Sequence, residues 1–201
     1  MPTLIPLFPL DVVLLPGAEL PLHIFEPRYK EMIGECLEQK SVFGVVRSHE
    51  NTMAEMGCTA EIVELAKKYD DGRMDIETIG RRRFEIMEVK QDRSFLQADV
   101  LYVDDEPSTP APDVTARALQ LHAEVVATVG ESSDFSPESA LLSYEMAASL
   151  PIDLDFKQTL LGVRSEAERL EGLIEFFEAV LPKLRKAARR RQKAGGNGHV
   201  P

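Results

Sequence analysis

Residues 6–33 read PLFPLDVVLLPGAELPLHIFEPRYKEMI, an apolar run interrupted at Pro6, Pro9, Pro16, Pro21 and Pro27, with Pro2 just ahead of it. Proline lacks the backbone donor that a central strand uses, so each one ends a strand, borders a sheet or opens a helix. The run therefore reads as several short, well-bounded pieces. Leu10 to Leu15 (LDVVLL) is expected to be a short apolar strand, with a turn at Pro16 and Gly17 after it. Glu19 to Phe25 follows as a second strand. Leu20, Leu22 and Ile24 share one face of it and Pro21, His23 and Phe25 the other, and the internal proline marks a partly exposed edge. Pro27 sits where a first helical residue tolerates proline. Tyr29, Met32, Ile33, Cys36 and Leu37 then recur at three- and four-residue steps, which gives one buried helical face.

Outward from this stretch the pattern stays mostly strand to Asp104, through SVFGVVRS, CTAEIVELAKKY, MDIETIG, RRRFEIMEV and FLQADVLYV. Asp71 and Gly72 fall between two of these runs, a dipeptide preferred in tight two-residue hairpins. Calcium binding there would need further oxygen ligands and a closing glutamate, which the loop lacks. Six or seven short strands suit a small barrel, which removes exposed edges. At residues 104–113, DDEPSTPAPD, acids and prolines leave little to bury and mark a linker. Beyond it, Asp113 is placed to cap a helix that Gly130 ends, and a second helix is expected from Ser136 to Leu150. A shorter one runs from about Asp153 to Gly162. Ser165 and Glu168 form a capping box for a last helix striped by Leu170, Leu173, Ile174, Phe177, Leu181 and Leu184, which Pro182 should kink.

The chain has 201 residues, 44% of them hydrophobic, enough for one large or two small domains with a real core. A secretory signal needs a basic start and an unbroken apolar stretch, and a membrane helix about 20 apolar residues. The opening run has neither, so a cytoplasmic location with no membrane partner is expected. Cys36 and Cys58 are far apart and read as buried thiols rather than a disulfide or zinc framework. The net charge of −11 is uneven: Lys183 to Lys193 (KLRKAARRRQK) holds seven basic residues, and setting them aside leaves −18. So acidic a body disfavours nucleic acid as a partner. The basic stretch reads as a solvated helix end followed by a loose terminus, AGGNGHVP.

Motifs for chemistry are missing. The sequence has no GxxxxGK[ST] phosphate loop and no GxSxG elbow, and His23, His49, His122 and His199 are too scattered to suggest a metal site. Arg81, Arg82 and Arg83 could read phosphate or carboxylate groups. In an alternating strand Arg81 and Arg83 share a face, where they are expected to neutralise nearby acids.

PLFPLDVVLLPGAELPLHIFEPRY, then VFGVV and DDGRMDIETIGRRRFEI, resemble the Lon protease N-terminal domain, and most closely its stand-alone bacterial forms. LPIDLDFKQTLLGVRSEAERLEGLIEFF is similar to the segment that closes the helical part of Lon N-terminal regions. The chain departs from the pattern at one strand, where relatives commonly have G-T-x-A-x-I and this sequence has GCTAEI. The resemblance implies an α+β fold, a PUA-like β pseudo-barrel joined to a mainly α-helical subdomain, which agrees with the division read from the residues: a barrel with one helix over residues 1–106, a linker at 107–112, a helical subdomain at 113–193 and a disordered tail at 194–201. It also implies a role in capturing unfolded polypeptides, which full-length Lon passes to separate ATPase and protease domains. ATP-dependent proteolysis is not carried over, since those motifs are missing.

The expected function is thus non-enzymatic, without cofactor, catalytic residue or metal: a module that binds polypeptide segments or a protein partner, with a possible link to protein quality control. The alternative is an RNA-binding PUA-like module using Arg81 to Arg83 and the basic stretch. For the first reading, Pro21, Phe25, Glu26, Arg28 and Tyr29 form the candidate polypeptide-binding surface, since an edge strand with an outward Phe25 offers apolar area beside charged anchors.

Overall fold

The structure, a computed structural model, describes residues 2–50, 52–129 and 135–195. Among the described residues six strands and five helices follow the order β1 (Thr3–Leu10), β2 (Glu19–Ile24), α1 (Pro27–Gln39), β3 (Phe43–His49), β4 (Thr52–Lys68), β5 (Met74–Lys90), β6 (Gln97–Val103), α2 (Pro112–Val129), α3 (Leu142–Ala148), α4 (Leu154–Gly162) and α5 (Glu166–Gly195). The expected start of the tail, 194–195, falls within α5; the remainder, 196–201, lies outside the described residues, as does Gly130. The chain forms two compact units. One holds residues 1–105 together with 152–164, and the other residues 106–151 and 165–201.

In the first unit β1 pairs in parallel with β3 through Leu7–Leu10 and antiparallel with β6 through Thr3–Pro6. The antiparallel pairs β3–β4, β4–β5 and β5–β6 complete a ring, and β2 is added to the first half of β5. Ile5, Leu7, Val46, Phe84, Ala98 and Val100 fill the ring as its core. The buried face of α1 holds Tyr29, Met32, Ile33 and Cys36 of the residues read from its spacing, while Leu37 is half-buried at its margin. The Phe8 ring lies 4.1 Å from that of Tyr29 and 6.1 Å from that of Phe43.

Several local expectations need correction. The strand is Thr3–Leu10, not Leu10–Leu15. Leu14 and Leu15 are buried in a segment that passes close over Gly80, where a Cβ would stand 2.2 Å from the Leu15 carbonyl oxygen. A short apolar run reads alike for a buried crossing and for a strand. The β4–β5 turn is a three-residue loop, because only Gly72 has positive φ (81°) while the Tyr69 amide donates to the Arg73 carbonyl. MDIETIG and RRRFEIMEV are one 17-residue strand. Within it a bulge opposite Thr59 reverses the alternation, so Arg81 and Arg83 do not share a face: Arg81 is exposed and Arg83 only 3% exposed.

In the second unit α2 begins at Pro112, with Asp113 in its first turn rather than at its cap. α3 begins at Leu142, after turns over 136–141, instead of at Ser136. Ala118, Leu121, Val125 and Val126 of α2 and Leu170, Leu173, Phe177 and Leu181 of α5 are buried. α5 continues through Pro182. Of the capping box, the Glu168 amide reaches Ser165 Oγ at 3.4 Å. No helix among the described residues is long and apolar enough to cross a membrane.

Candidate functional site

The local sequence 24–27 fixes the orientation of Phe25. Pro27 at the first position of α1 disfavours helical backbone in the residue before it, and Glu26 is extended at φ −69°, ψ 136°. The β alternation therefore continues to Phe25. Ile24 points into the core at 1% exposure, while Phe25 is 59% exposed. Phe25 stacks on the His23 ring, with centroids 6.0 Å apart and planes at 24°. His23 is held in turn: its Nδ1 lies 2.5 Å from Asp75 Oδ1, and the Tyr69 hydroxyl donates to Asp75 Oδ2 at 2.8 Å. Hydrogen bonds first from His23 and then from Tyr69 keep the Asp75 carboxyl below the usual aspartate range.

Among the described residues β2 has a strand partner on one side only. Its register with β5 runs unbroken from Glu19↔Ile79 to Ile24↔Met74 and passes Pro21↔Glu77. An antiparallel ladder can hold a proline only where its nitrogen points away from the partner, so Pro21 also removes a donor from the outer edge. That blunts the strand for continuous ladder addition and leaves side chains as its main offering.

The other candidate residues divide. Arg28 Nε donates to Glu26 Oε2 at 3.0 Å, and the Arg28 guanidinium lies 4.6 Å over the Tyr29 ring. Tyr29 itself is 7% exposed against Phe8, and burial is the main cause that raises its hydroxyl pKa. Pro21, Phe25, Glu26 and Arg28 thus reach the surface, with Tyr29 beneath them.

Sequence reasoning missed His23, Tyr69 and Asp75 as the support for Phe25. The hairpin at Gly72 was a signal that β4 and β5 pair. The register past it, with shifts between Ile62 and Glu64 and between Leu65 and Lys67, could not be counted from the turn.

Arg81, Arg82 and Arg83 are all engaged. Arg81 Nε donates to Glu61 at 2.5 Å and Arg82 to Asp104 at 3.0 Å. Arg83 donates to the Leu161 and Val163 carbonyls at 2.8 and 2.7 Å and pairs with Asp105. Cys58 is fully buried, and desolvation pushes its thiol up to about 12.

The described residues thus form a ring of strands with an added edge strand, and an aromatic side chain is held outward at the end of that strand. The chain belongs to the family described as the ATP-dependent protease La (LON) substrate-binding domain, whose model matches residues 4–179. That domain is non-catalytic. Among known proteins the chain is similar to Lon protease 1 of Hydrogenovibrio crunogenus, at 25% identity over 89% of this chain and 24% of that protein. It is also similar to the protein cereblon of Xenopus tropicalis, at 28% identity over 54% of this chain and 25% of that protein. The chain thus spans about a quarter of the length of these curated relatives. A solved Lon N-terminal domain protein from Xanthomonas campestris matches with a TM-score of 0.70 and 27% identity, covering 86% of this chain and 98% of the other. The N-terminal domain of a Mycobacterium avium complex Lon protease matches in fold, with a TM-score of 0.61 at 16% identity over 88% and 98% of the two chains.

Proposed function

We propose that this chain is a non-catalytic polypeptide-binding module whose contact surface is built around Phe25 on β2. The observation that carries the reading is an aromatic side chain 59% exposed at the end of a strand paired on one side only. A large apolar group held rigidly in water has unspent burial to offer, and an aromatic anchor gives much contact area at little entropic cost. Pro21, Glu26 and Arg28 surround it, and Tyr29 supports Arg28 from below. Family membership supports the same role, because the matched family is named for substrate binding.

The test uses a reduced and alkylated, permanently unfolded protein as probe. Phe25→Ser should melt within about 0.5 kcal/mol of the parent, as expected for an exposed site, yet bind the probe at least fivefold more weakly. Arg28→Glu should weaken it less. A folded Phe25→Ser chain that binds like the parent would overturn the proposal.

A further inference from the structure

The face that Phe25 shares extends across three strands, and its charges are one-sided. Paired residues of an antiparallel ladder share a face, so the register sets out rows: Glu19–Ile79–Glu61, Pro21–Glu77–Glu64 and His23–Asp75–Lys67, with Phe25 beyond the last. Glu61 is taken by Arg81, and Asp75 by His23 and Tyr69. The carboxylates of Glu19, Glu64 and Glu77 have no ion-pair or hydrogen-bond partner among the described residues. Glu64 and Glu77 stand directly opposite each other, an arrangement that costs stability in a sheet.

The cations nearby do not relieve it. Arg73 bonds Asp71 at 2.7 Å and lies over the Tyr69 ring, and Lys67 lies over the same ring at 4.4 Å. Val63, 48% exposed at one register shift, and Phe25 supply apolar area on either side of the central row. Carboxylates accept hydrogen bonds and cannot donate them, and proline has no amide to give. A segment laid on this face must therefore bring the donors itself.

We propose that the outward face of β2, the first half of β5 and the end of β4 selects extended segments that carry lysine or arginine beside an apolar residue. This rests on Phe25 being the anchor, as proposed above. The apolar residue packs on Phe25, and the cations fall between Glu64, Glu77 and Glu19, where they also end the repulsion of the opposed pair. From Glu19 to Phe25 the strand covers roughly 20 Å at about 3.3 Å per residue, the reach of a six- or seven-residue extended segment.

Nine-residue fluorescein-labelled peptides of alternating Phe and Thr, with two central positions made Lys, Gln or Glu, provide the test by anisotropy at 50 mM and 500 mM salt. At low salt the Lys peptide should bind about tenfold more tightly than the Gln peptide, and the Glu peptide more weakly than both. High salt should shrink the difference. Glu64→Gln with Glu77→Gln should bring the Lys and Gln peptides within about twofold of each other, with Gln-peptide binding kept. Equal affinities for all three peptides that Phe25→Ser abolishes would overturn the charge selection and leave the Phe25 site standing. Lys-peptide binding untouched by Phe25→Ser would remove that site as well, and with it this inference.

Discussion

The two halves of β5 face opposite problems. In the second half, the bulge opposite Thr59 turns Arg83 inward, where a buried guanidinium meets two carbonyl oxygens and the Asp105 carboxylate. In the first half, Glu77 faces Glu64 across the ladder, and Phe25 and Val63 project into water nearby. The Arg83 guanidinium is satisfied within the chain, whereas the Glu77 carboxylate is set against another carboxylate. The satisfied guanidinium belongs to the scaffold, and the opposed carboxylates lie on the face proposed above as the contact surface.

The largest effect should come from Arg83→Met. It strips the Leu161 and Val163 carbonyls and Asp105 of their shared donor, and loss of one member of such a buried set costs about 3–5 kcal/mol. A urea melt of the variant checks it. Arg83→Lys should recover less than half, since one ammonium cannot reproduce the planar fork. If Arg83→Met melted like the parent, the contrast between the halves would fail at its stable end.

Gly80 lies between the halves. Gly80→Ala drives a Cβ to within 2.2 Å of the Leu15 carbonyl oxygen, so backbone must move, at a cost of about 1–3 kcal/mol by thermal melt.

In the open half, the Asp75 carboxyl is held below its usual value of 3.8 in the folded chain, first by His23 and then by Tyr69. A depressed folded pKa stabilises the fold above that value, and the stability is lost as pH falls through the folded one. Asp75→Asn should melt below the parent at pH 7 and converge with it below the carboxylate range. A constant gap across a pH series of melts would contradict this. The smallest effect is a gain: Glu64→Lys places opposite charges across the ladder and should stabilise by about 0.2–1 kcal/mol, visible as a small rise in the melting temperature.

What could be read from the sequence was local. The alternation in Glu19–Phe25 and the spacing from Tyr29 to Cys36 depend on neighbours a few residues apart, and both faces are as the residues specify. Phe25 could be identified for the same reason, because the extended pre-proline Glu26 carries the period of β2 one residue past its end. The fate of LDVVLL depends on Gly80, more than sixty positions later, and apolar residues do not announce whether they pair or cross. Arg83 looked like a surface partner of Arg81 because a single bulge residue reverses a two-residue period. The Glu64–Glu77 opposition was hidden for the same reason, as the register shift between Leu65 and Lys67 separates it from the turn.

Arg83 draws its acceptors from 78 and 80 positions further along the chain, and the unit they complete is interrupted by residues 106–151. A growing chain leaves the ribosome from its N-terminus at roughly 5–20 residues per second, so all six strands are made before the carbonyls of Leu161 and Val163 exist. For several seconds the nascent barrel holds a guanidinium without its two carbonyl acceptors. It reaches full stability only when Val163 has been added and a long excursion of chain has been closed, a closure whose entropic cost grows only logarithmically with length.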